Sequence, residues 1–109
     1  MNNTTWGGNA AQGAYALFNN TTGENNSAQW TFSLMENTTG YNNSAQGAYA
    51  LFLNNTGTGN SAQWYWSLYM NSTGSLNTAN GNEALYWNDT GYNNSAQGSS
   101  ALYYTKIPP

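Results

Sequence analysis

The chain has 109 residues and a formal net charge of −3 at pH 7: one lysine, no arginine, histidine or cysteine, and four acids, Glu24, Glu36, Glu83 and Asp89. This inventory excludes thiolate and imidazole metal sites, His-based general-base catalysis, a disulfide framework, and the clustered cations that nucleic acid binding requires. No apolar run is long enough to cross a bilayer, so membrane insertion is not expected, and no signal-peptide pattern follows Met1. Polar, low-complexity chains are commonly disordered when they lack aromatics. With five Trp and nine Tyr this chain reads instead as a packed object.

In chain order, the leading "MNNTTWGG" is already in register with the rest of the chain, and from Asn9 a period of seventeen holds without a slip. The coils start near residues 9, 26, 43, 60, 77 and 94, and residues 105–109, "TKIPP", diverge; the whole chain, 1–109, reads as a single repeat domain. One column is Asn9, Asn26, Asn43, Asn60, Asn77 and Asn94, and a second is Ala11, Ala28, Ala45, Ala62, Ala79 and Ala96. A third is Leu17, Leu34, Leu51, Leu68, Leu85 and Leu102, and Gly23, Gly40, Gly57, Gly74 and Gly91 close the units. The consensus is N-S-A-Q-G-x-x-A-L-x-x-N-T-T-G-x-N. A strict short period means equivalent places in a stack, and seventeen residues are too few for a pair of helices with their turns.

The N-x-T-G cluster reads as a turn in which Gly supplies a positive φ. Between turns the spacing predicts an extended segment, Ser44 to Phe52 in the third unit, with Ala45, Gly47, Tyr49 and Leu51 on one side. Gln46, Ala48, Ala50 and Phe52 take the other. The fold class expected is all-β: a β-solenoid, of the β-helix or β-roll kind, with about six coils of seventeen residues. Coils ~4.8 Å apart place each residue on its own copy, and the stack is about 30 Å tall. Ala and Leu columns then fill the interior, Asn columns form amide ladders, and charge is disfavoured because like ions would stack. Position five of the unit alternates, Gly13, Trp30, Gly47, Trp64, then Gly81 and Gly98, and reads as packing: Gly leaves lateral room for the ring above or below it.

Residues 77–91, "NTANGNEALYWNDTG", resemble the N-T-A-x-G-x-x-A-L-x-x-N-T-T-G repeats of bacterial and viral tail-fibre-like proteins that carry an endosialidase-type chaperone, and more distantly the heads of trimeric autotransporter adhesins. The resemblance spans about Asn2 to Thr105. It implies a β-solenoid fibre segment, often trimeric, displayed outside a cell or on a virion. The chain departs from that pattern with Gln12, Gln29, Gln46, Gln63, Asn80 and Gln97 in a column that is usually aliphatic, and it lacks the chaperone domain.

Several columns are functional candidates. Asn20, Asn37, Asn54, Asn71 and Asn88 each stand two before a Thr and are formal glycosylation acceptors, or else turn caps; Asn25, Asn42 and Asn93 lie in N-x-S triplets. Thr22, Thr39, Thr56, Thr73 and Thr90 form a row of the ice-binding type, but the adjacent column, Thr21, Thr38, Asn55, Ser72 and Asp89, is irregular. Aromatics gather in Phe18, Phe52, Tyr65, Trp66, Tyr69, Tyr86, Trp87, Tyr103 and Tyr104, too many for a thin solenoid to bury. Exposed rings of this kind serve self-contact or stack on glycans, a role expected of Trp66, Tyr69, Tyr86, Trp87, Tyr103 and Tyr104. The acids occupy different columns and corners, so no glycosidase pair is expected, nor a calcium cage, a cofactor or an enzyme.

The last predicted strand, Ser95 to Tyr103, has neither Pro nor charge, which leaves its edge open to pairing. The expectation is a structural, self-assembling fibre or filament subunit on a cell or virion surface or in an extracellular filament, a homo-oligomer or head-to-tail polymer. The alternatives are a glycan-binding adhesin segment and, behind it, an ice-binding solenoid.

Overall fold

A computed structural model describes residues 7–104. The expectations for the start of "MNNTTWGG", through Trp6, and for the divergent end at 105–109 lie outside the described residues. Among the described residues there is no helix, and six short parallel strands make one open sheet in the order β1-β2-β3-β4-β5-β6. They are Ala10–Ala11, Ser27–Ala28, Ser44–Ala45, Ser61–Ala62, Thr78–Asn80 and Ser95–Gln97, numbered β1 to β6. Every pair is in the register of the sequence period, Ala11 on Ala28, Ala28 on Ala45, Ala45 on Ala62, Ala62 on Ala79 and Ala79 on Ala96. The arrangement is solenoid-like, and the body is flat, 36 × 26 × 15 Å.

The strands are far shorter than the alternation predicts. In the third unit the strand ends at Ala45, and the chain turns where the Ala50 N–H donates to the Gly47 carbonyl at 3.0 Å. The same bond recurs from Ala16 to Gly13, Ser33 to Trp30, Ser67 to Trp64, Ala84 to Gly81 and Ala101 to Gly98. Because the chain bends here, sequence neighbours both face inward: Ala50 and Leu51 are fully buried, where strict alternation put them on opposite sides. Gln46 is exposed, and Tyr49 and Phe52 are half-buried. The interior is filled by Leu17, Leu34, Leu51, Leu68 and Leu85 together with Ala28, Ala45, Ala62, Ala79 and Ala96. Leu102, last of its column, is half exposed.

The turn carries bulky residues in the left-handed region: Tyr15, Phe32, Tyr49, Trp66 and Glu83 have φ near 60°, and the leucine column lies between 49° and 53°. Each such residue costs about 1–2 kcal/mol. Four of the first group, from Phe32 to Glu83, gain a reversed amide in exchange. Most ladder amides donate forward to the next unit, as Leu34 N–H does to the Ala50 carbonyl, but Phe32, Tyr49, Trp66 and Glu83 donate backward, to Ala14, Thr31, Ala48 and Tyr65, at 2.9–3.1 Å. Asn25, Asn42, Gly59, Leu76 and Asn93 repeat the device at the opposite corner, donating to Gly7, Glu24, Tyr41, Thr58 and Ser75. An amide left unpaired costs about 1–3 kcal/mol, so the strained φ and the inter-unit bond roughly offset each other.

The closing glycines do not supply positive φ. Gly23, Gly40, Gly57, Gly74 and Gly91 lie outside that region, where only Gly8, Gly59 and Gly98 are found among the glycines. They are glycines because nothing else fits. A Cβ on Gly57 would fall on the Gly74 carbonyl oxygen and on Asn54 Oδ1, and the same holds at Gly23, Gly40 and Gly74, while at Gly91 it would fall on Asn88 Oδ1 and Asn94 Nδ2. Gly57→Ala is therefore expected to lose at least ~2 kcal/mol in denaturant unfolding, while exposed Thr56→Ala stays within ~0.5 kcal/mol.

Candidate functional site

Two buried asparagine columns hold the units together. Asn37, Asn54, Asn71 and Asn88 each donate from Nδ2 to the Oδ1 of the asparagine one unit earlier, at 2.7, 2.8, 2.7 and 2.8 Å. In the other column the side chain binds backbone: Oδ1 of Asn9, Asn26, Asn43, Asn60 and Asn77 accepts the N–H of the asparagine one unit on, at 2.9–3.0 Å. Their Nδ2 groups reach across the unit to the carbonyls of Gly23, Gly40, Gly57, Gly74 and Gly91 at 2.7–2.8 Å. Cross-links join the columns, from Asn60 to Asn54 at 3.2 Å and from Asn94 to Asn88 at 3.0 Å. Among the described residues no buried side-chain nitrogen or oxygen lacks a partner.

Of the two readings open for Asn20, Asn37, Asn54, Asn71 and Asn88, glycosylation acceptor or turn cap, this geometry matches the turn cap. All five are buried and their amides are engaged, each Nδ2 also donating to the glycine three residues on, so the folded column presents no nitrogen to a sugar. Their role is the turn and the ladder. Asn25, Asn42 and Asn93, in the N-x-S triplets, are exposed.

The aromatics are mostly spent on one another. Phe52, Tyr69, Tyr86 and Tyr103 stack face to face with centroids 5.3, 4.9 and 4.9 Å apart and planes within 10°. Trp87 lies parallel to Tyr104 at 6.4 Å. Trp66 meets Tyr49 and Tyr86 edge-on. Tyr69, Tyr86, Tyr103 and Trp66 are half-buried, so Trp87 and Tyr104 are the members of the predicted contact set that stand exposed.

Trp30 and Trp64, read from the sequence as packing rings, point outward, 61 % and 58 % exposed. Their glycine neighbours answer to backbone, since a Cβ on Gly13 or Gly47 would strike the main chain of Trp30 or Trp64. A companion residue escaped the sequence reading. Ser33 Oγ donates to the Trp30 carbonyl at 2.6 Å and accepts the Trp30 N–H at 3.3 Å; Ser67 does the same for Trp64 at 2.6 and 3.2 Å. The four units with Gly at this place have Ala16, Ala50, Ala84 and Ala101 instead. The paired alternation of two columns was a signal available without coordinates.

The threonine row, Thr22, Thr39, Thr56, Thr73 and Thr90, is exposed, and beside it the Thr21 and Thr38 hydroxyls donate to backbone carbonyls of the next unit. Among the described residues no three acids gather as a metal site, and no helix is long and apolar enough to cross a membrane. Comparison with protein-family models, with curated proteins and with solved structures finds no match.

The buried chemistry has two testable consequences. Asn54→Asp keeps the shape but turns a donor toward Asn37 Oδ1 and the Gly57 carbonyl into an acceptor, and it buries a charge. A loss of about 3 kcal/mol or more at pH 7 is expected in denaturant melts, partly recovered as the pH falls toward about 4, because burial against acceptors makes the folded carboxyl take its proton well above the value of the unfolded chain. Separately, burial, and then the neighbours Tyr69, Tyr103 and Glu83, hold the Tyr86 hydroxyl above its ordinary pKa. The unfolded tyrosine ionises first, so this group's contribution to stability is intact below about pH 10 and is lost as pH rises beyond it. Thermal melts across that range should show a smaller alkaline loss in Tyr86→Phe.

Proposed function

We propose that the chain is a β-solenoid of about six coils, seventeen residues each, that works as a self-assembling structural subunit of a fibre or filament, outside a cell or on a cell or virion surface. The observation that carries this reading is the complementarity of the outer strands. On β1 the N–H groups of Ala10 and Gln12 donate forward, to the Asn26 and Ala28 carbonyls at 2.8 and 2.9 Å. Ser95 and Gln97 hold the same two places on β6, the last strand of the sheet, with their N–H groups directed past it. At the other edge the Ala11 carbonyl occupies the place of the accepting Ala28 carbonyl. A second copy set on β6 through its β1 continues the strand ladder in register, Ala96 meeting Ala11 of the next copy and Asn94 meeting Asn9.

Such a contact is heterologous and does not close, so it propagates as a filament. β1 and β6 carry neither charge nor proline, the usual devices that blunt an edge. The column of Asn9 to Asn94 and the Leu column extend through the junction, and half-exposed Leu102 is covered by the next copy's interior. Of the contact set expected from the sequence, Trp87 and Tyr104 are the rings that stand exposed for lateral contact between stacks. The tail-fibre resemblance of residues 77–91 supports the same placement outside the cell.

Electron microscopy and light scattering on the purified chain test this. Fibres that lengthen with concentration are expected. Gln97→Pro removes one outward donor and sets a ring against the incoming strand, so it should stop elongation while leaving the far-ultraviolet spectrum unchanged. A chain that stays monomeric at high concentration overturns the reading.

A further inference from the structure

The geometry points to a second function on the outer wall: Trp30 and Trp64 frame a cleft that takes a neutral saccharide chain running along the stack. The cleft measures about 570 Å³ and is lined by Gln29, Trp30, Gln46, Gly47, Gln63 and Trp64, with Ala48 and Tyr65 at its side. A second cleft of about 500 Å³ lies on the far side of Trp30, over Gln12 and Gly13. The two share Trp30 and Gln29, so they form successive compartments of one groove, each floored by a glycine.

Four features select the ligand. No lining residue is charged, which disfavours ionic ligands and favours hydroxyl groups. The amides of Gln29, Gln46 and Gln63 are exposed in a row, and each offers both a donor and an acceptor. The indoles are mounted two strand intervals apart, ~9.6 Å, more than the roughly 7–8 Å that van der Waals contact on both faces of a flat ring needs, and suited to a puckered pyranose. The mounting of both rings on the wall is also fixed in advance. Ser33 and Ser67 brace the backbone of the two tryptophans, and Trp64 Nε1–H donates to Asn80 Oδ1 at 2.8 Å, so the apolar face of that ring is what remains for a ligand. The cleft volume lies within the range of small-molecule sites.

The stack itself does not need these rings, because Gly81 and Gly98 occupy the same position in consecutive units. The main cleft, between Trp30 and Trp64, uses none of the residues at the assembling ends, and it stands or falls independently of the filament.

Isothermal titration calorimetry with cellohexaose, maltohexaose and tetra-N-acetylchitotetraose tests it, with backbone amide NMR shifts locating the contact. At least one of these neutral oligosaccharides is expected to bind at micromolar to millimolar concentration and to shift Gln29, Gln46 and Gly47. Trp30→Ala and Trp64→Ala should each weaken binding about tenfold or more. Ser33→Ala, the residue that four other units carry there, should leave the fold intact and weaken binding severalfold by loosening the ring. Absence of binding by all three probes overturns the assignment, as does binding that survives both tryptophan substitutions. So does sedimentation that depends on Trp30 and Trp64 with no saccharide effect, which would make the cleft a contact between copies.

Discussion

The structure depends on one constraint, the vertical registry of side-chain amides. Main-chain bonds join the units both in the short strands and beyond them, as from Leu34 to Ala50 and from Glu36 to Phe52, but backbone groups are alike at every residue and by themselves specify register weakly. The asparagines supply what the strands lack. A slip of one residue between units would strand Asn37, Asn43, Asn54, Asn60 and their copies inside, at about 1–3 kcal/mol for each unpaired group. A slip of a whole unit costs nothing in these columns, since every unit offers the same partners. The interaction that fixes the fold internally is therefore indifferent to where one chain stops and another starts.

The same constraint accounts for the scarcity of charge. Identical ions ~4.8 Å apart repel by about 1 kcal/mol in water and about 3.5 kcal/mol at an effective dielectric of 20. An amide carries donor and acceptor together and can rest on its own copy without limit. The four acids avoid one another's columns, and Glu36 is accommodated by Asn19, whose Nδ2 donates to it at 3.0 Å. Tyrosine and phenylalanine repeat for a comparable reason: parallel rings offset by one strand interval stack well, as Tyr69, Tyr86 and Tyr103 do.

The period was legible, and with it the parallel sheet and the Asn, Ala and Leu columns, because a stack prints its register directly onto the chain. The path of the chain within a unit was not. Alternation assigned Ala50 and Leu51 to opposite sides, a rule that fails once a turn replaces the strand at Gly47. The left-handed φ at Tyr49 and Leu51 has no local signature, since what stabilises the Tyr49 conformation is an amide bond to Thr31 in the preceding unit. Glycine was recognised as special for the wrong reason. Close passage of a neighbouring carbonyl and left-handed freedom select the same residue, and sequence alone does not separate them. The Trp–Ser pairing was legible in principle, but only by comparing two columns rather than reading each one.

The two proposed roles reinforce each other through repetition. A single cleft walled by two indoles and neutral amides has no charge to add, and protein–sugar contact of that kind is weak. A filament of such subunits presents the cleft once per subunit in a fixed line, and a long saccharide that engages one cleft meets the next at high effective concentration. Avidity then grows with filament length and needs no improvement of the individual site. This explains why the tryptophans interrupt an otherwise uniform column only at Trp30 and Trp64, in the middle of the chain, while the units nearest the β6 edge keep glycine. Rings at the junction would disturb the docking of copies, and rings away from it leave assembly untouched.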